Sequence, residues 1–157
     1  MNRTALYIVG AFLVVGGLGF AAWRAQRTLT SNLPTRINCR DEAEARALAG
    51  LSAIPVLGTG SMAPFIPPSP AGKDPLNTTV ALVVLKRSAS FLDVSSGDLC
   101  IYYPTWHEGP VMHQAALKDS GGWIMSGLGN AKSEAAWRVT SDNFGGIVAR
   151  VYVWPLK

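Results

Sequence analysis

Thr79-Val80-Ala81-Leu82-Val83-Val84-Leu85-Lys86 is the stretch that sets the fold class. It is apolar and β-branched almost throughout, and reads as a strand buried on both faces or nearly so. Downstream the pattern recurs: the Gly97-Asp98 turn signal precedes Leu99 to Tyr103, and Val111 to Leu117, Gly122 to Met125 and Gly145 to Trp154 follow as short strands with turns between them. Upstream, residues 65–78 hold four prolines and read as a loop, and Ile54 to Leu57 reads as a short strand. Asp41 to Leu51 opens with acids, is Ala-rich and reads as a short helix. Residues 24–40 read as a connector. With no long helical pattern after residue 51, the expected domain is mainly β, a small antiparallel barrel or sandwich over residues 31–157.

The N-terminus is different. Of the 157 residues 48 % are hydrophobic, and the excess is concentrated in Ala5 to Trp23, a run with no charged side chain. At about 1.5 Å per residue such a run nearly spans a bilayer core of about 30 Å, so residues 1–30 are expected to hold a transmembrane anchor, with Tyr7 and Trp23 at the interfaces. The run is longer than the ~7–15 apolar residues usual in a cleaved signal, which favours a retained helix. The net charge of +4 is dispersed, with no dense basic run and no basic-aromatic interleaving, so nucleic acid is excluded as an expected partner. Cys39 and Cys100 are too few for a disulfide framework; one bridge or two unpaired thiols both remain open. No HExxH, CxxC, Walker or Rossmann pattern occurs, and the expectation is no metal and no cofactor.

Chemistry centres on Gly58-Thr59-Gly60-Ser61-Met62-Ala63-Pro64. Gly60 allows a tight turn and close approach of a substrate strand. A serine there needs a base within hydrogen-bond reach. The Ser61 N–H and Thr59 hydroxyl are candidate oxyanion donors. The chain has two histidines, His107 and His113; His113 lies in a strand, His107 in the loop Trp106 to Gly109. Histidine accepts a serine proton near neutral pH.

The serine box resembles that of the signal peptidase I family, membrane-anchored serine proteases that cut leader peptides from exported proteins. The order of motifs is also similar: Gly97-Asp98-Leu99-Cys100-Ile101, then Val111-Met112-His113, then Gly127-Leu128-Gly129-Asn130, and a closing segment from Val139 to Val151. The resemblance implies Ser61 as nucleophile and His113 as base, in the manner of the family's histidine branch. It implies an orienting acid at Glu134, with Asp142 the alternative, and substrate contacts from Gly60, Met62 and Pro64. Gln114 and Leu128 depart from the residues usual at their places, an arginine and an aspartate. The implied partners are an exported preprotein or pilin leader peptide, with small residues before the cut, and the lipid bilayer, touched by Phe65-Ile66-Pro67-Pro68. Counting flanking arginines places the C-terminal side in the cytoplasm, whereas the resemblance implies an extracytoplasmic domain, which is the expected placement. The alternatives are an inactive membrane-tethered β module for assembly or adhesion, and a self-cleaving repressor-type protease, which uses a lysine base and needs no anchor.

Overall fold

The computed structural model describes residues 32–129 and 134–156, with residues 134–137 described by backbone alone. The apolar run 5–23 and the anchor expected in 1–30 lie outside these residues, as does Asn130 of the glycine box. Among the described residues no helix is long and apolar enough to cross a membrane.

The chain forms β1 (Thr35–Asn38), α1 (Glu42–Ala49), β2 (Ile54–Leu57), β3 (Thr79–Leu85), β4 (Leu99–Tyr102), β5 (Val111–Asp119), β6 (Gly122–Ser126), β7 (Glu134–Val139) and β8 (Phe144–Val153), with one 3-10 turn at Phe91–Asp93. The domain is mainly β, as the strand pattern implies. A single curled sheet runs β2-β3-β8-β4-β5-β6-β7, antiparallel throughout, and β1 adds to β8 in parallel.

Side-chain alternation builds the two faces. Along β3, Ala81 and Val83 enter an interior cluster with Leu99, Ile101, Met112, Val148 and Val151, while Leu82 joins Tyr152 and Trp154 on the opposite face. That opposite face is covered by α1, through Ala45 and Ala49 at the i, i+4 spacing of one helical stripe. Asp41 caps α1 by accepting the Glu44 N–H at 2.9 Å, and Gly50 ends it at φ +79°. Along β4 the same alternation sends Leu99 and Ile101 into the interior cluster, and Cys100 and Tyr102 into another with Ala115, Trp123, Met125 and Ile147.

Two strands form without a strand-like composition. β1 falls in the expected connector: its four residues are mostly exposed and gain their place by pairing Thr35–Asn38 with Arg150–Val153. β7 carries Glu and Ala, poor strand formers, and is held by its ladder to β6, Trp123 opposite Val139 and Ile124 opposite Arg138. The cysteines are both free and buried, Cys39 in the cluster under α1 and Cys100 in that beneath β4. The Phe65–Pro68 segment is less exposed than the sequence implies: Ile66 is buried in the interior cluster, with Phe65 partly buried against it.

Leu82, 2 % exposed between sheet and helix, should cost about 2–5 kcal/mol when cut to Ala, read by urea unfolding. Leu117→Ala, at an exposed position, should stay within about 0.5 kcal/mol in the same titration.

Candidate functional site

β2 feeds directly into the serine turn. Its ladder with β3 shifts register between Val56 and Leu57, bending the strand just before Gly58. Gly58 then runs so close to the chain that a Cβ there would meet Ser69 Oγ at 2.3 Å and Val80 Cγ1 at 2.7 Å. Gly60 takes φ +83°, a conformation glycine adopts without a steric penalty. The turn beyond it closes with Ala63 N–H donating to Gly60 O at 3.0 Å, and Ile66 N–H to Met62 O at 3.0 Å. Met62 and Ile66 thereby plug into the interior cluster and fix Ser61 at the surface above it.

The glycine box completes this support. Gly129 N–H donates to Ser61 O at 2.9 Å, and Leu128 packs against the interior cluster. A Cβ on Gly129 would lie 2.7 Å from Gly60 O, so the two loops touch backbone to backbone.

His113 reaches the serine from β5. Its Nε2 is 3.3 Å from Ser61 Oγ, and Thr59 Oγ1 lies 3.2 Å from the same oxygen. On its other side Nδ1 is hydrogen-bonded to Tyr102 Oη at 3.0 Å. That contact follows from register: Cys100 faces His113 and Tyr102 faces Val111, so the tyrosine projects from the same face of β4 that His113 takes on β5. Tyr102 is fully buried and His113 is 3 % exposed. Burial pushes the imidazole down to about 4, so His113 is a neutral base at physiological pH.

These groups open onto a cleft of about 590 Å³ whose walls include Val56, Leu57, Ile66, Ile101, Met112 and Trp106. Its walls are strand edges. Among the described residues, β2 ends the sheet, and the β5–β6 ladder begins at Gln114 opposite Ser126, so Val111–His113 precede it along β5.

The other candidates are placed as follows. Gly60 and Met62 line the cleft, whereas Pro64 is exposed and lies outside its lining. His107, the alternative base, lines the cleft beside Trp106 but makes no hydrogen bond to Ser61. Asp142 is exposed in the turn before β8, where Ser141 Oγ donates to its carboxylate at 3.2 Å; no hydrogen bond joins it to His113. Glu134 begins β7, its backbone paired with Met125, and its carboxylate lies outside the described atoms. Tyr102 reads from the sequence only as part of a core strand, and nothing short of the β4–β5 register singles it out. Among the described residues no three His, Cys, Asp or Glu side chains gather as a metal site would need.

The arrangement holds a hydroxyl, a neutral base in reach of it, and two donors at its flank, Thr59 Oγ1 and the Ser61 N–H. It is suited to nucleophilic attack on a carbonyl whose chain lies in the cleft. No protein-family model matches the chain, and no curated protein matches it.

The depressed His113 value has a signed consequence. Between the ordinary value of 6.5 and about 4, the unfolded chain binds a proton that the folded chain refuses. The contribution of His113 to stability is therefore level above pH 6.5 and falls as pH drops toward 4. Urea unfolding should show a loss of about 2–3 kcal/mol from this group between pH 7 and 4.5, absent in His113→Gln. Gly129→Ala, which forces the serine turn and box apart, should cost about 1–3 kcal/mol in the same assay.

Proposed function

We propose that this chain is a membrane-anchored serine endopeptidase of the signal peptidase type, with Ser61 as nucleophile and His113 as general base. The observation that carries the reading is the Ser61 Oγ–His113 Nε2 contact of 3.3 Å at the wall of a cleft bordered by β2 and the start of β5. Such a contact lies just beyond ordinary hydrogen-bond reach for catalysis and is of the kind that tightens when substrate binds.

A peptide laid in the cleft along the outer edge of β2 adds as a strand and brings a carbonyl to Ser61. Ser61 Oγ bonds to the carbonyl carbon as its proton passes to Nε2, and the π pair moves onto the oxygen. That oxyanion is met by the Ser61 N–H and the Thr59 hydroxyl. Collapse breaks the C–N bond, with Nε2 returning the proton to the leaving amine, and water then releases the acyl group by the same route. Gly60 and Met62 contact the substrate in this reading, and the lining of Val56, Ile66, Ile101 and Met112 receives its apolar side chains. The substrate is the leader peptide of an exported preprotein or pilin, with small residues before the cut. The apolar run 5–23 tethers the enzyme as a single-pass anchor, with the domain on the extracytoplasmic side. Glu134 remains a candidate for the orienting acid.

Cleavage of a leader peptide bearing Ala-x-Ala, in detergent, tests the reading. Wild type should cut, and Ser61→Ala and His113→Ala should each lose at least about 10³-fold in kcat/KM with unchanged circular dichroism. Cleavage that survives in Ser61→Ala would remove the peptidase assignment from this site.

A further inference from the structure

Resting on that reading, we infer that Tyr102 is the positioning residue of the base, a neutral hydroxyl doing at Nδ1 of His113 what a carboxylate does in an acid-assisted triad. For His113 to accept a proton at Nε2, its resting hydrogen must sit on Nδ1, and the partner of one ring nitrogen decides which nitrogen carries it. Tyr102 Oη stands 3.0 Å from Nδ1 and is aimed at it from the neighbouring strand. Its lone pair accepts the Nδ1–H, which turns the Nε2 lone pair to Ser61 Oγ at 3.3 Å. A phenol oxygen accepts that hydrogen bond through a lone pair and gives up no proton in doing so. When Nε2 takes the serine proton, the charge stays on the imidazolium, and Oη stabilises it as a dipole and not as an anion.

The placement is rigid for three reasons. Tyr102 is 0 % exposed and sits in the cluster with Cys100, Ala115, Trp123 and Met125, so the ring cannot swing away. The two side chains are tied by the β4–β5 ladder, Cys100 opposite His113 and Tyr102 opposite Val111. The ring planes are tilted by 46° at 6.1 Å between centroids, so the rings meet through the hydroxyl and do not stack. Asp142, the exposed alternative, is engaged by its own turn.

The first readout needs no activity: the ¹⁵N spectrum of histidine-labelled full-length protein in detergent at pH 7. Wild type should show His113 protonated at Nδ1 with a bare Nε2. Tyr102→Phe, which removes one oxygen and keeps the ring, should shift His113 toward a mixture of tautomers. On the leader peptide it should lower kcat by about tenfold or more, with KM changed less than about twofold. A merely structural role would not move the tautomer. An Nε2-protonated His113 in wild type would overturn the inference even if Tyr102→Phe failed to fold. So would a Tyr102→Phe enzyme at the wild-type rate, with the loss appearing in Glu134→Gln or Asp142→Asn instead. An Nδ1-protonated wild type that cuts no peptide supports the positioning contact and counts only against the peptidase reading.

Discussion

Everything in this domain hangs on β8, because one ten-residue strand serves both halves of the sheet. Its Val148–Val153 portion bonds β3, its Phe144–Ile147 portion bonds β4, and Arg150–Val153 also takes β1. The alternation of Ile147 and Val148, then of Val151 and Tyr152, sends neighbouring residues into different clusters. A one-residue slip along β8 would exchange those clusters, so register is fixed by burial on both faces. Because β3 leads back to the serine turn through β2, and β4 leads on to His113 through β5, the separation of Ser61 from His113 is set by that register. The site joins residues 52 positions apart in the chain with a single strand as the common reference.

The chemistry that results is one of low polarity. His113 is not surrounded by water, and burial alone pushes its basicity down. A base of this kind is always ready, since it is unprotonated across the neutral range, yet it is a weaker proton acceptor than an exposed histidine. The compensation lies in geometry. Ser61 is fixed by the Gly129 N–H, by Met62 beneath it and by Thr59 beside it, so the turn holds its hydroxyl in one place beside Nε2.

Much of this is legible in the sequence. The strands from Thr79 to Leu85, Leu99 to Tyr102 and Phe144 to Val153 announce themselves through β-branched or aliphatic runs, and the helix over Glu42–Ala49 through its acidic start and its alanines. Ser61 and His113 stand out because histidine is rare in this chain and the turn chemistry around Ser61 is demanding. β1 and β7 do not, because pairing and not composition makes them strands. Cys39 and Cys100 cannot be told apart as bonded or free from sequence, since that depends on which cluster each enters. Tyr102 is invisible for the deepest reason: a buried aromatic in a strand is among the commonest of core residues, and only the residue across the ladder turns it into part of a site.

Gln114 and Leu128, the two positions that depart from the pattern of the resembling family, have their explanation in packing. Gln114 is buried, and its amide donates to Gly97 O at 2.9 Å, tying β5 to the turn that starts β4. A charged side chain at that depth would need a partner of opposite sign to offset its desolvation, whereas the neutral amide satisfies a carbonyl directly. Leu128 packs on the interior cluster and anchors the box whose next residue bonds Ser61. Both residues hold in place the elements that present His113 and Ser61. Their departure from the pattern therefore reflects how this chain secures its serine and histidine, a matter of packing that is separate from whether the pair reacts.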